Sequence, residues 1–224
     1  MKNLLILSVV VAVYLLVGMT PFGRYINFPI NMVVTFLHEF GHAFFCKITG
    51  GSVTFLHMDP TMDSLHGYAT IGGLTGCVGG NETIVLMGGY VGSAVFGNLL
   101  LRVSLTKYAY IAVYILSFCM AFSGLWWFSN VLTTVCLLIY AVVFFGLAGT
   151  KIIPYVLQFV GVVSLIFIVQ DFNVGPTGDL DLYNQYVSKF PPEVVLMYLW
   201  LGVVLLITYL NVKNIISMEK QKAI

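Results

Sequence analysis

From Tyr108 to Thr150 the chain carries no Asp, Glu, Lys or Arg. A helix that crosses the hydrocarbon core of a bilayer needs about 20 mostly apolar residues. The run is therefore long enough for two such helices, with a break near Trp126, Trp127 and Asn130. A soluble helix of that length would show a polar face toward water. The rest of the chain agrees. It is 59% hydrophobic and only 8% charged over 224 residues, with a mean hydropathy of +0.97, whereas soluble domains carry roughly 25% charge. The expected fold class is an all-α polytopic membrane protein, with residues 1–224 forming a single integral membrane domain whose surroundings are the lipid bilayer. Ten Lys and Arg against nine Asp and Glu, with no basic stripe, exclude a nucleic-acid surface.

Seven apolar segments are long enough to span, at about 3–20, 28–49, 84–103, 107–127, 130–149, 152–170 and 193–212. Six remain if the first is a cleaved signal, but it has no convincing small-x-small cleavage site and is read as a retained helix. With seven spans, Arg24, Arg102, Lys107, Lys151, Lys213, Lys220 and Lys222 gather on one side, and Lys2, Lys47 and Lys189 on the other. The positive-inside rule then puts the C-terminus in the cytoplasm, and the N-terminus and residues 50–82 outside a plasma membrane.

Two outer segments have character of their own. Residues 50–82 are Gly-rich, and Ser52–Leu56 and Gly67–Ile71 read as short strands around an Asp59-Pro60 turn, a β-hairpin-like segment. Residues 171–192 form an acidic loop, with a Gly-Pro-Thr-Gly turn and a short helix from Asp179 to Lys189. Cys46, Cys77, Cys119 and Cys136 show no C-x-x-C spacing. They read as small buried hydrophobes rather than as a disulfide framework or a metal site.

The segment 28–49 contains His38-Glu39-Phe40-Gly41-His42. Residues four apart share a helix face, so His38 and His42 can present two imidazoles to one zinc ion, and Glu39 can act as general base toward a water on that ion. Such groups inside a membrane are expensive, at about 2.5–3.5 kcal/mol for each ionised one. They persist where they pair, bind an ion or line a wet cavity. The bland alternative is a hydrogen-bonded polar patch. Gly41, which has no side chain, lets a neighbouring helix or a substrate come close.

These residues resemble the site-2 protease family of intramembrane zinc metalloproteases (peptidase family M50), and within it the M50B-like branch. Besides the H-E-x-x-H helix, the resemblance rests on four features. These are the Gly50-Gly51-Ser52-Val53 entry to a strand, the Gly88-Gly89-Tyr90-Val91-Gly92-Ser93 run with Gly97, Gln170-Asp171-Phe172, and Gly178-Asp179-Leu180. The resemblance implies zinc held by His38, His42 and one Asp, with Glu39 as the catalytic base. Three Asp residues compete for the third ligand. Asp179 and Asp171 match acidic positions of the branch. Asp181 fits the Asn173, Pro176, Leu180, Asp181 spacing of an N-x-x-P-x-x-x-L-D-G element whose final Gly is Leu182 here.

The function implied is a zinc endopeptidase that hydrolyses peptide bonds of transmembrane or membrane-associated protein substrates. The alternating residues and position of the strand-like segment at 52–71 suit it to receive an unwound peptide as an added strand. The rivals are a non-catalytic scaffold holding transmembrane clients and, less well supported, a transporter. For the remaining residues the structural readings come first. His57 and His66 read as solvated loop histidines. Gly88, Gly92, Ser93 and Gly97 read as a packing face, and Asn98 and Asn130 as interhelical hydrogen-bonding groups. The Asn81-Glu82-Thr83 sequon sits tight against a span.

Overall fold

The computed structural model describes residues 2–63, 68–173 and 178–222. Eight helices and one hairpin follow in the order α1 (Lys2–Gly18), α2 (Pro21–Ile48), β1 (Ser52–Asp63), β2 (Tyr68–Val78), α3 (Glu82–Ser104), α4 (Ala109–Trp126), α5 (Val131–Leu147), α6 (Ile153–Asn173), α7 (Gly178–Tyr186) and α8 (Glu193–Lys222). Every expected span corresponds to a helix. Four of them are long and apolar enough to cross a membrane: Glu82–Ser104, Ala109–Trp126, Ile153–Asp171 and Glu193–Ser217. α5 is a shorter apolar helix of 17 residues. α2, although 28 residues long, is not among the four, because His38, Glu39 and His42 dilute its apolar character.

The helix starts follow local chemistry. Thr20 caps α2 by accepting from the Gly23 N–H at 3.0 Å, with Pro21 in the first turn. Asn81 caps α3 by accepting from Ile84 N–H at 3.1 Å, and Asn130 caps α5 by accepting from Thr133 N–H at 2.7 Å. Each side-chain oxygen satisfies an amide that has no partner within its helix.

Glycine decides how closely the central helices cross. A Cβ on Gly41 of α2 would lie 2.3 Å from the Gly88 carbonyl oxygen of α3, and one on Gly92 would lie 2.8 Å from the Gly41 Cα. One turn further along α3 the pattern recurs against α6, where a Cβ on Gly161 would meet the Gly97 carbonyl at 2.6 Å. Backbone thus meets backbone at both crossings, as small-residue stripes allow in a membrane. The stripe read from the sequence is a packing face, and it brings α3 against the helix that carries the H-E-x-x-H motif. Asn98 acts as expected too, donating to Thr208 Oγ1 of α8 at 3.1 Å while Asn211 donates to its side-chain oxygen at 3.0 Å.

The apolar core falls into two main parts. One joins α2, β1, α4, α5 and α6 around Phe36, Leu56, Met120 and Leu157. The other joins α3, α6, α7 and α8 around Tyr90, Ile168, Leu180 and Trp200.

The hairpin is longer than expected. β1 and β2 pair antiparallel from Ser52↔Val78 to Asp63↔Tyr68. Asp59 and Pro60 are therefore strand residues opposite Gly72 and Ile71, not a turn, because the Thr61-Met62 and Ala69-Thr70 stretches continue the ladder beyond them. His66 and Gly67, with Gly175, Pro176 and Thr177 of the expected Gly-Pro-Thr-Gly turn, lie outside the described residues.

The cysteine expectation is overturned. Cys46 at the end of α2 and Cys77 at the end of β2 form a disulfide, with a Cα–Cα distance of 6.1 Å. The hairpin folds back 31 residues to bring them together, a proximity that sequence spacing does not reveal. Cys119 and Cys136 are free.

Candidate metal centre

Three side chains converge where α2, α3 and α7 meet. His38 Nε2 lies 3.1 Å from Asp179 Oδ2, His42 Nε2 lies 3.3 Å from the same oxygen, and the two Nε2 atoms are 3.1 Å apart. Among the described residues this is the one group of three His, Cys, Asp or Glu side chains close enough to hold an ion together.

The elements fix each member. His38 and His42 share a face of α2 through their four-residue spacing. His42 Nδ1–H donates to the Val85 carbonyl in the first turn of α3 at 2.7 Å. That bond settles the neutral tautomer and turns the lone pair of Nε2 toward the other two ligand atoms. The His38 ring stands edge-on to the Tyr90 ring at 4.7 Å between centroids. Asp179 comes from α7, which is seated on the second core by the buried Leu180 and Tyr183.

That seating separates the three acidic candidates. Residues two apart lie on nearly opposite faces of a helix. With Asp179 turned toward the histidines, Asp181 is exposed and outside the group. Asp171 is not part of the group either. Near the end of α6, it accepts from the Tyr90 hydroxyl at 2.6 Å. It stands behind the aromatic ring that flanks His38.

The donor set suits zinc. A tetrahedral ion with bonds of about 2.0–2.2 Å sets its ligands about 3.3 Å apart, and the three edges here measure 3.1, 3.1 and 3.3 Å. A cradle is kept for them as well, because a Cβ on Gly89 would fall 2.4 Å from both imidazole Nε2 atoms. Burial acts to raise the Asp179 carboxyl, but the charge and hydrogen bonds of His42 and His38, when these are protonated, outweigh it and hold the group well below the usual carboxylate range, a role that a bound cation would take over. Asp179 is thus an anion at neutral pH, as a ligand must be.

Glu39 is 4% exposed and lies under the hairpin. Its Oε2 accepts from the Thr75 hydroxyl of β2 at 2.7 Å. A Cβ on Gly73 would sit 2.2 Å from its Oε1, so the absence of a side chain there leaves the carboxylate its room. Thr75, Gly73 and Val85 carry no motif, and Tyr90 stands in the Gly-rich run of α3 without a role assigned to it from sequence. Only their placement reveals them.

His57 departs from the solvated reading. The Asn130 amide donates to its Nδ1 at 3.1 Å. The Leu56 N–H donates to the Trp127 carbonyl at 2.9 Å, and the Met58 N–H donates to Thr133 Oγ1 at 3.1 Å. The α4–α5 junction therefore occupies the outer edge of β1.

No curated protein and no solved structure matches the chain. A family model described as Peptidase M50B-like does match, over residues 5–212, and through that match across nearly its whole length the chain belongs to the Peptidase M50B-like family.

Proposed function

We propose that this chain is a zinc-dependent intramembrane endopeptidase acting on transmembrane or membrane-associated protein substrates. The coarser frame is that of an integral membrane protein in a metallopeptidase family. The observation that carries the finer reading is the convergence of His38, His42 and Asp179 beside a buried Glu39 that is held by one hydrogen bond.

His38, His42 and Asp179 would hold the zinc. When bound, the ion supplies Lewis acidity that polarises the scissile carbonyl and acidifies water. Glu39 takes the proton from the attacking water and delivers it to the leaving amine. Thr75 holds the carboxylate through Oε2, and Gly73 leaves space at Oε1 for the proton transfers. The substrate must be locally unwound to expose its carbonyl. Because the outer edge of β1 is covered by the α4–α5 junction, the outer edge of β2 is the one suited to receive the peptide as an added strand.

In this reading α1, α2 and α5 join the four long helices to make seven crossings, with the C-terminus cytoplasmic and the hairpin outside a plasma membrane. The disulfide supports that side, since such bonds persist in oxidising compartments.

The test is metal content together with turnover of a transmembrane reporter peptide, both in detergent. Glu39→Gln is expected to keep about one zinc per chain and to lose cleavage. His38→Ala and Asp179→Ala are expected to lose the zinc, and Asp171→Ala and Asp181→Ala to keep it. Glu39→Gln cleaving as well as the parent would sink the protease reading and leave the scaffold in front.

A further inference from the structure

An apolar cavity of about 460 Å³ lies between α2, α3 and α4, on the far side of Phe40 from the metal group. We infer that it is a lipid site, taking one acyl chain of an anionic phospholipid whose phosphate is held by Arg102 and Lys107.

The walls select hydrocarbon. Every lining residue is apolar or aromatic except for the Tyr108 hydroxyl and the Cys119 thiol. Walls of this kind give water too few partners, and an unfilled apolar void costs stability in proportion to its volume. The volume lies in the range of sites that enclose small ligands.

The shape selects a chain from one leaflet. The floor is buried, with Phe36, Leu37 and Leu116 all under 7% exposed. The rim is open, with Leu99 53% and Ile115 58% exposed, and on a spanning helix that rim faces lipid. Along α4 the lining runs from Tyr108 to Cys119, a climb of about 16 Å at 1.5 Å per residue. That is close to half of the roughly 30 Å hydrocarbon thickness.

The charge selects the headgroup. The cavity begins at Val103 and Tyr108, on either side of the α3–α4 turn. Arg102 and Lys107 directly precede those two residues, and both are exposed. The Lys107 ammonium sits 5.3 Å over the Tyr108 ring, at the mouth. Among the described residues neither cation is paired with a carboxylate. Two unpaired cations at the interface end of a hydrocarbon slot fit an anionic phosphate above an acyl chain. The chain would touch Phe36 and Phe40, residues of the helix that carries His38 and His42, so lipid in the slot would bear on the metal site.

The experiment is lipid retention by the purified full chain after passage through nanodiscs of phosphatidylglycerol or of phosphatidylcholine, read by native mass spectrometry. The parent is expected to keep about one phosphatidylglycerol per chain and to prefer it over phosphatidylcholine. The double variant Arg102→Gln with Lys107→Gln should lose that preference about tenfold. Ala112→Trp should lose retention of either lipid by filling the slot. Leu99→Trp, at the exposed rim, repeats that test where Ala112→Trp fails to fold. Equal retention of the two lipids by the parent, or undiminished retention in the tryptophan variants, would overturn the inference. So would cross-linking of a transmembrane reporter peptide, rather than lipid, to residue 115.

Discussion

The Thr75 hydroxyl reaches across from β2 and donates to Glu39 Oε2 at 2.7 Å, so the hairpin and the motif helix meet at the proposed base itself. Thr75 Oγ1 also lies 3.0 Å from the Glu39 backbone carbonyl oxygen, which ties strand to helix at one residue. Thr75→Val removes the donor and keeps the shape. A buried polar group left without its partner costs about 1–3 kcal/mol, so cleavage should fall by roughly tenfold while zinc content stays at the parent level. Thr75→Ser should restore most of it. A Thr75→Val variant that lost zinc would mean that the hairpin holds the metal ligands rather than the base.

Gly89 gives a sharper case, because local and tertiary effects have opposite signs. Within a helix, Gly→Ala is favoured by about 1 kcal/mol. Here the added Cβ would lie 2.4 Å from the Nε2 atoms of both His38 and His42. Gly89→Ala should therefore fold at least as well as the parent without metal and yet fail to hold zinc, as read by metal mass spectrometry beside a thermal melt. Full zinc occupancy in this variant would show that the ion is held elsewhere.

The helices were legible because each is an apolar run closed by Gly, Asn, Pro or charge, and the motif was legible because its spacing alone makes a shared helix face. The choice among Asp171, Asp179 and Asp181 was not legible, because it turns on how one short helix is rotated. Leu180 and Tyr183 set that rotation by entering the core beside Trp200, and nothing in the acidic residues themselves reports it. The Cys46–Cys77 pair is hidden in the sequence for a related reason. Its proximity depends on the full length of the hairpin, and the Asp59-Pro60 dipeptide suggested a hairpin that turned too early. Thr75 and Gly73 became visible only once the strand lay over Glu39.

Asp171 and Asp179 should separate cleanly by the size of their effects. Asp179 Oδ2 touches both imidazoles, whereas Asp171 acts through the Tyr90 hydroxyl and the ring that flanks His38. Residues that orient a ligand from behind typically change metal affinity by about 10–100-fold. Tyr90→Phe and Asp171→Ala should each weaken zinc affinity toward the low end of that range, and the double variant should be no weaker than either alone, since both break the same bond. Competition with a chelator measures this directly. Loss of zinc in Asp171→Ala as complete as in Asp179→Ala would make Asp171 a ligand after all.

The Cys46–Cys77 bond joins the end of α2 to the end of β2, so it closes the loop that lays Thr75 and Gly73 over Glu39. A closed loop of this size typically stabilises a fold by about 2–4 kcal/mol. Cys46→Ser, Cys77→Ser and the double variant should lower the melting temperature by the same amount, because each removes the same single bond. The three variants should also keep zinc, whose proposed ligands lie on α2 and α7, while losing cleavage in step with Thr75→Val. Reduction of the parent with a membrane-impermeant phosphine in intact cells, followed by thiol labelling, should expose both cysteines if the hairpin faces outward. Labelling only after the membrane is breached would put the hairpin, and with it the whole proposed topology, on the opposite side.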